Sequence, residues 1–122
     1  MKTLFALALL ASCVATTGAR AAEGISIRAN TAGELAELCG ANPREPGADA
    51  KINFCHGFAQ GAIDVARQHL ADKKLFCFPS SPPSRTATLN EFVSWVRALP
   101  EHRSLPSTDG LFKFMGERFP CK

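Results

Sequence analysis

Tyrosine is absent from this 122-residue chain, tryptophan occurs once and methionine twice. The aromatic content is nearly all phenylalanine, nine residues that bring area for burial but no polar handle. Long apolar runs are also missing. A bilayer-spanning helix needs about 20 apolar residues, and the run from Leu4 to Ala11 is far shorter. No segment alternates as a half-buried strand does, and no internal repeat is present. There is no Gly-rich phosphate loop, no nucleophile elbow and no Cys-x-x-Cys pair. Cys55-His56 matches only the end of a haem-attachment motif, because position 52 is Ile52. No cofactor is therefore expected. Strong charge is lacking too. The formal net charge is +3, but Lys2 and Arg20 fall in a removable leader. Without them 12 basic residues face 11 acidic ones, a field too weak to hold DNA, RNA or anionic lipid.

What is present is ordinary globular composition, 46% hydrophobic and 20% charged, in a length that suits one domain. Lys2, the apolar run Leu4–Ala11 and the small-x-small pattern Ala19-Arg20-Ala21 together read as a secretory signal peptide over residues 1–21. A competing reading takes Leu10-Ala11-Ser12-Cys13 as a lipobox, which would place a lipidated Cys13 at the mature N-terminus and tie the protein to a membrane. Under either reading four cysteines remain, Cys39, Cys55, Cys77 and Cys121. An even number in a short exported chain points to a disulfide framework and an oxidising compartment such as the periplasm.

Residues 22–30 show little pattern and read as a tether before a domain over 31–122. Thr31-x-x-Glu34 fits a capping box, and Leu35, Leu38 and Cys39 follow at helical spacing. Residues 40–50 hold two prolines and two glycines and read as a loop. Asp49 then caps a second helix running to about Leu70, with Ile52, Cys55, Ala59, Ala62, Ala66 and Leu70 as its buried stripe. Phe54, Phe58 and Val65 widen that stripe. Gly57 and Gly61 each weaken a helix by about 1 kcal/mol, so they predict close approach of another backbone. The proline-rich stretch after Phe76-Cys77-Phe78-Pro79 cannot be helical. A second capping box, Thr88-x-x-Glu91, opens a third helix with Leu89, Phe92, Val93, Val96 and Leu99 inward, ending at Pro100. A fourth starts near Ser104–Ser107 and buries Leu111, Phe114, Met115 and Phe119. The fold class is all-α, a small disulfide-stapled bundle of about four helices.

Helix direction constrains the pairing. If four helices alternate up and down, Cys39 and Cys55 share one end and Cys77 and Cys121 the other. The helix from Cys55 to Leu70 covers about 22 Å, whereas a disulfide spans about 4.4–6.8 Å between Cα atoms. Cys55–Cys77 and Cys39–Cys77 are both disfavoured, which leaves Cys39–Cys55 with Cys77–Cys121.

Chemistry-bearing residues are sparse. His56, His69 and His102 are scattered, and no metal-ligand spacing joins them. His102, in Pro-Glu-His-Arg, reads as a solvated turn after the third helix. Asp64 is a lone carboxylate on a helix. A binding module, offering loops 40–50 and 78–87 to a partner, explains the sequence better than an enzyme does.

The spacing of its landmarks then resembles a known family. Thr31-x-x-Glu34-Leu35-x-x-Leu38-Cys39 is followed by Cys55-His56-Gly57-Phe58-x-x-Gly61 and Phe76-Cys77-Phe78-Pro79. Trp95-x-x-x-Leu99-Pro100-Glu101-His102-Arg103 and the terminal Arg118-Phe119-Pro120-Cys121 complete the pattern. It is similar to the Rap/Tai family of periplasmic immunity proteins, which protect bacteria against type VI secretion amidase effectors. The resemblance implies a small all-helical protein, often a homodimer, that binds and occludes a cognate secreted cell-wall amidase. It carries over scaffold positions and no partner-contacting residue. The alternative is a general periplasmic helical binding or chaperone-like stress protein without a cognate toxin.

Overall fold

The computed structural model describes residues 24–122, and the leader, with Cys13 and the Ala19-Arg20-Ala21 pattern, lies outside them. Five α-helices follow one another: α1 (Ala32–Cys39), α2 (Ala48–His69), α3 (Arg85–Ala98), α4 (Pro100–Ser104) and α5 (Ser107–Arg118). A single 3-10 turn, Ala71–Lys73, follows α2. The described chain is thus an all-helical fold stapled by two disulfides.

The shortest of the first three helices occupies the centre. The eight-residue α1 packs against α2, α3, α4 and α5. Its sequence explains this position, because Ala32, Leu35, Ala36 and Leu38 are all buried, more than one stripe of so short a helix. Around it Phe92 and Val96 of α3 and Leu111 and Met115 of α5 close the core. Phe92 stands edge-on to Phe114, ring centroids 5.6 Å apart, a favourable aromatic geometry. The Thr31–Glu34 capping box forms, with Thr31 Oγ1 accepting from the Glu34 amide at 3.2 Å and Glu34 reaching back to the Thr31 amide. Glu34 also accepts from the Asn30 amide at 2.8 Å.

Close approach of backbones falls elsewhere than at Gly57 and Gly61. A Cβ built on either would meet nothing within 4 Å. A Cβ on Gly110 would lie 2.6 Å from Ala32 Cβ, so this glycine lets α5 cross α1. Gly116 does the same for the 75–79 segment, where a Cβ would lie 2.8 Å from the Leu75 carbonyl oxygen.

Helix starts differ from the expected ones by a few residues. Helix α2 begins at Ala48 after Gly47, whose left-handed φ of 78° a side chain would resist, and Asp49 lies in the first turn instead of at the cap. Helix α3 begins three residues before Thr88. Ser84 is its cap and accepts from the Ala87 amide at 3.1 Å, while the Thr88 hydroxyl donates to the Ser84 carbonyl. The nearer hydroxyl, set directly after Pro83, captures the first free amides, so Thr88 becomes an interior buried residue.

The end of α3 also departs from the pattern. Helix α3 stops at Ala98, Leu99 is extended and exposed, and Pro100 starts the separate helix α4. Proline suits that first position because its missing N–H is not required there. The break turns Leu99 out of the expected apolar stripe.

The disulfides join Cys39 to Cys55, with Cα atoms 5.1 Å apart, and Cys77 to Cys121, with Cα atoms 4.9 Å apart. The first ties the end of α1 to the early part of α2. The second ties the 75–79 segment to the C-terminus, where the Cys77 amide also donates to the Phe119 carbonyl at 2.8 Å. Residues 24–30 lack helix. Ile25 packs on Gly47, and the Asn30 carbonyl accepts from the Ser107 amide.

Candidate partner-binding surfaces

Helix α2 is 22 residues long but buries only Ala48, Cys55, Ala59 and Ala66. Phe54 is 38% exposed and Val65 54%, so neither widens the buried stripe as expected. The reason is that α1, its main partner, is far shorter and covers only one side of it. Gly57 and Gly61 lie on the uncovered surface with Phe54 and Val65, at helical spacing of three or four residues. The result is an apolar ridge interrupted by two positions without side chains.

A second feature lies between α2, the 75–84 segment and α3, a cleft of about 740 Å³. Ile63, Phe76, Leu89 and Met115 supply apolar lining, and Pro79, Pro82 and Pro83 stiffen the outer wall. The same wall is fixed by the Cys77–Cys121 bond and by Phe78 packed on Phe119, centroids 5.1 Å apart. Along α2, Gln60, Ile63 and Arg67 face this cleft at helical spacing. Gln60 Nε2 donates to both carboxylate oxygens of Asp64 at 2.9 Å, and Gln60 Oε1 accepts from Arg85. Asp64 is therefore engaged in orienting Gln60. Neither Arg67 nor Arg85 has an ion-pair partner among the described residues. Composition could not reveal this cationic pair, because it depends on α2 and α3 coming together. The Gln60-Ile63-Arg67 spacing was the one local trace of it.

The histidines do not converge. His56 is half-buried and His69 exposed on α2, whereas His102 is on α4. Among the described residues no group of three or more His, Cys, Asp or Glu side chains could hold a metal ion. His102 is not a solvated turn residue. It is 7% exposed, stacked on Trp95, with its Nδ1–H donating to the Trp95 carbonyl at 2.8 Å. Trp95 Nε1 donates to Glu117 at 2.7 Å, and Lys113 Nζ lies 2.9 Å from the same carboxylate. Lys113 first, then Trp95, hold Glu117 below the usual carboxylate value of 4.5. The hydrogen bond from Arg118 lowers Glu91 in the same way and raises Arg118 in turn.

Of the two loops expected to face a partner, both are largely exposed. The 40–50 loop is braced by the Arg44 amide donating to Asn42 Oδ1 at 3.1 Å. The 78–87 stretch runs from the disulfide-bound Cys77 into α3 and forms one wall of the cleft.

The family model for Rap1a immunity proteins matches residues 31–121. The chain belongs to the Rap1a immunity protein family. The match begins at the α1 cap Thr31 and ends at Cys121, so the Rap1a domain takes in all five helices and both disulfides. Membership makes the protein an immunity protein, whose partner is an effector protein. No curated protein and no solved structure gives a significant match to this Rap1a-family chain. Among the described residues no helix is long and apolar enough to cross a membrane.

Proposed function

We propose that this chain is a periplasmic immunity protein that binds a type VI secretion amidase effector and occludes its peptidoglycan-cleaving site. The family match over residues 31–121 carries this reading. The paired disulfides favour an oxidising compartment. In the same reading residues 1–21 are a signal peptide, 22–30 a tether, and 31–122 the partner-binding domain. The protein acts by occupancy and not by turnover, and needs no cofactor. Stiff, disulfide-anchored loops reduce the ordering cost of association. The test is survival of cells made to export candidate amidases, any encoded by neighbouring genes first, to their periplasm. Co-production of this chain restores growth, and loss of both growth rescue and binding to every candidate amidase refutes the target assignment.

The uncovered α2 ridge favours a homodimer as the resting form. Gly57 and Gly61 would let an identical helix approach closely, and Phe54 and Val65 would bury apolar area across the contact. The same exposed ridge is also what a promiscuous holder of unfolded chains would present. Titration with unfolded model proteins separates the two, since an immunity protein ignores them.

A further inference from the structure

We infer that the cleft between α2, the 75–84 segment and α3 is a docking site for an extended segment of a protein partner, one bearing two carboxylates around a large apolar side chain. The identity of that partner as an effector rests on the function proposed above; the chemistry of the segment does not.

Size comes first. At about 740 Å³ the cleft falls in the range of sites that hold compact ligands, and its walls are braced. The Cys77–Cys121 bond and three prolines hold one side, and the long helix α2 forms the other. Little order has to be created when a segment enters.

The lining then selects chemistry. Ile63, Leu89 and Met115 favour an apolar side chain, because a polar one would lose its water without replacement. Among the described residues the only charged side chains in the lining are Arg67 and Arg85, with no Asp or Glu. The carboxylate in contact with this network, Asp64, already accepts from Gln60 at both oxygens. Two cations beside an apolar floor call for an anionic, amphipathic occupant.

Spacing fixes the form of that occupant. Gln60 holds Arg85 at its own level on α2, and Arg67 lies seven residues further along. Seven residues of helix advance about 10 Å, and an extended chain advances about 3.3 Å per residue. In an extended chain every second side chain points the same way. Carboxylates four residues apart span about 13 Å, so with the long guanidinium arms they reach both arginines. The residue midway between them faces the same wall, toward Ile63 and Leu89, which lie on the same helix faces as Arg67 and Arg85.

The experiment is an NMR titration of the mature, disulfide-bonded protein with acetyl-Gly-Glu-Gly-Leu-Gly-Glu-Gly-amide. The methyl groups of Ile63, Leu89 and Met115 and the side chains of Arg67 and Arg85 shift, and those of Phe54 and Val65 do not. Replacing both glutamates of the peptide by glutamine weakens binding about tenfold. The R67E/R85E double variant loses the acidic peptide while its thermal midpoint stays unchanged. Arg67→Lys and Arg85→Lys retain binding, which guards against misreading a folding defect. The inference is overturned if the acidic peptide moves no cleft resonance or if its glutamine counterpart binds equally well. It is also overturned if a muropeptide tetrapeptide, which brings carboxylates without a large apolar side chain, binds as tightly. No effector enters this titration, so the cleft can stand where the amidase assignment fails, and the reverse.

Discussion

Trp95 and His102 lie face to face, ring centroids 3.6 Å apart and planes within 11° of parallel. The stack welds α4 back onto α3 across the break at Leu99. It also fixes the tautomer of His102, because the Trp95 carbonyl can only accept and Nδ1 must carry the proton. His102→Ala should lower stability by about 2 kcal/mol, combining a lost stack with a lost hydrogen bond. His102→Phe should recover the stacking part and remain about 1 kcal/mol below the parent. Urea unfolding of the three proteins checks this, and equal losses for both variants would refute the stacking account.

The two disulfides should differ in worth. They close loops with sequence separations of 16 and 44 residues. On chain entropy the shorter contributes about 3 kcal/mol and the longer about 4 kcal/mol. Paired Cys→Ser variants compared in urea should show the larger loss for Cys77 and Cys121.

Glycines on α2 and α5 should respond with opposite signs. Gly110→Ala drives a methyl against Ala32 and should cost about 1–3 kcal/mol. Gly61→Ala meets open space inside a helix of the single chain and, measured in the monomeric Val65→Asp background, should stabilise by up to about 1 kcal/mol. Thermal melts of both variants decide the matter.

The α2 ridge predicts a change of mass in solution. The parent should sediment as a dimer with a melting point that rises with concentration, and Val65→Asp as a folded monomer whose melting point does not depend on concentration, since Val65 is already exposed in one chain. A parent that remains monomeric at high concentration removes the homodimer from the proposal.

Acid should weaken the fold modestly through Glu91 and Glu117. Both carboxylates sit below their ordinary 4.5 in the folded chain, so the unfolded chain binds more protons as pH falls past that value. Their contribution is complete above the unfolded value and is lost as pH falls through the folded ones. Both groups are close to solvent, which keeps the effect small. The urea midpoint should drop between about pH 5 and pH 3, and the combined Glu91→Gln and Glu117→Gln variant should show a flatter profile.

Local chemistry was legible wherever a residue acts on its own neighbours. The Thr31–Glu34 box, the apolar stripe of α5 and the loop after α1, which ends at Gly47 three residues short of the expected bound, follow from spacing alone, because their partners lie within one or two helical turns. The pairing expected from helix direction, Cys39 with Cys55 and Cys77 with Cys121, is the one formed. Thr88 misled because two hydroxyls, Ser84 and Thr88, both suit a cap, and the choice depends on where the chain arrives from Pro83.

The sequence by itself determined an all-helical chain, its helix-forming segments and four cysteines fit for an exported domain. Only the tertiary structure decided that the short α1 sits at the centre, that Gly110 and not Gly61 carries the close crossing, and that His102 is buried against Trp95. It also decided that Arg67 and Arg85 line one cleft. The physical reason is that helix formation depends on neighbours within about four residues, whereas burial and charge pairing depend on which helices meet, and that meeting is written in no single segment.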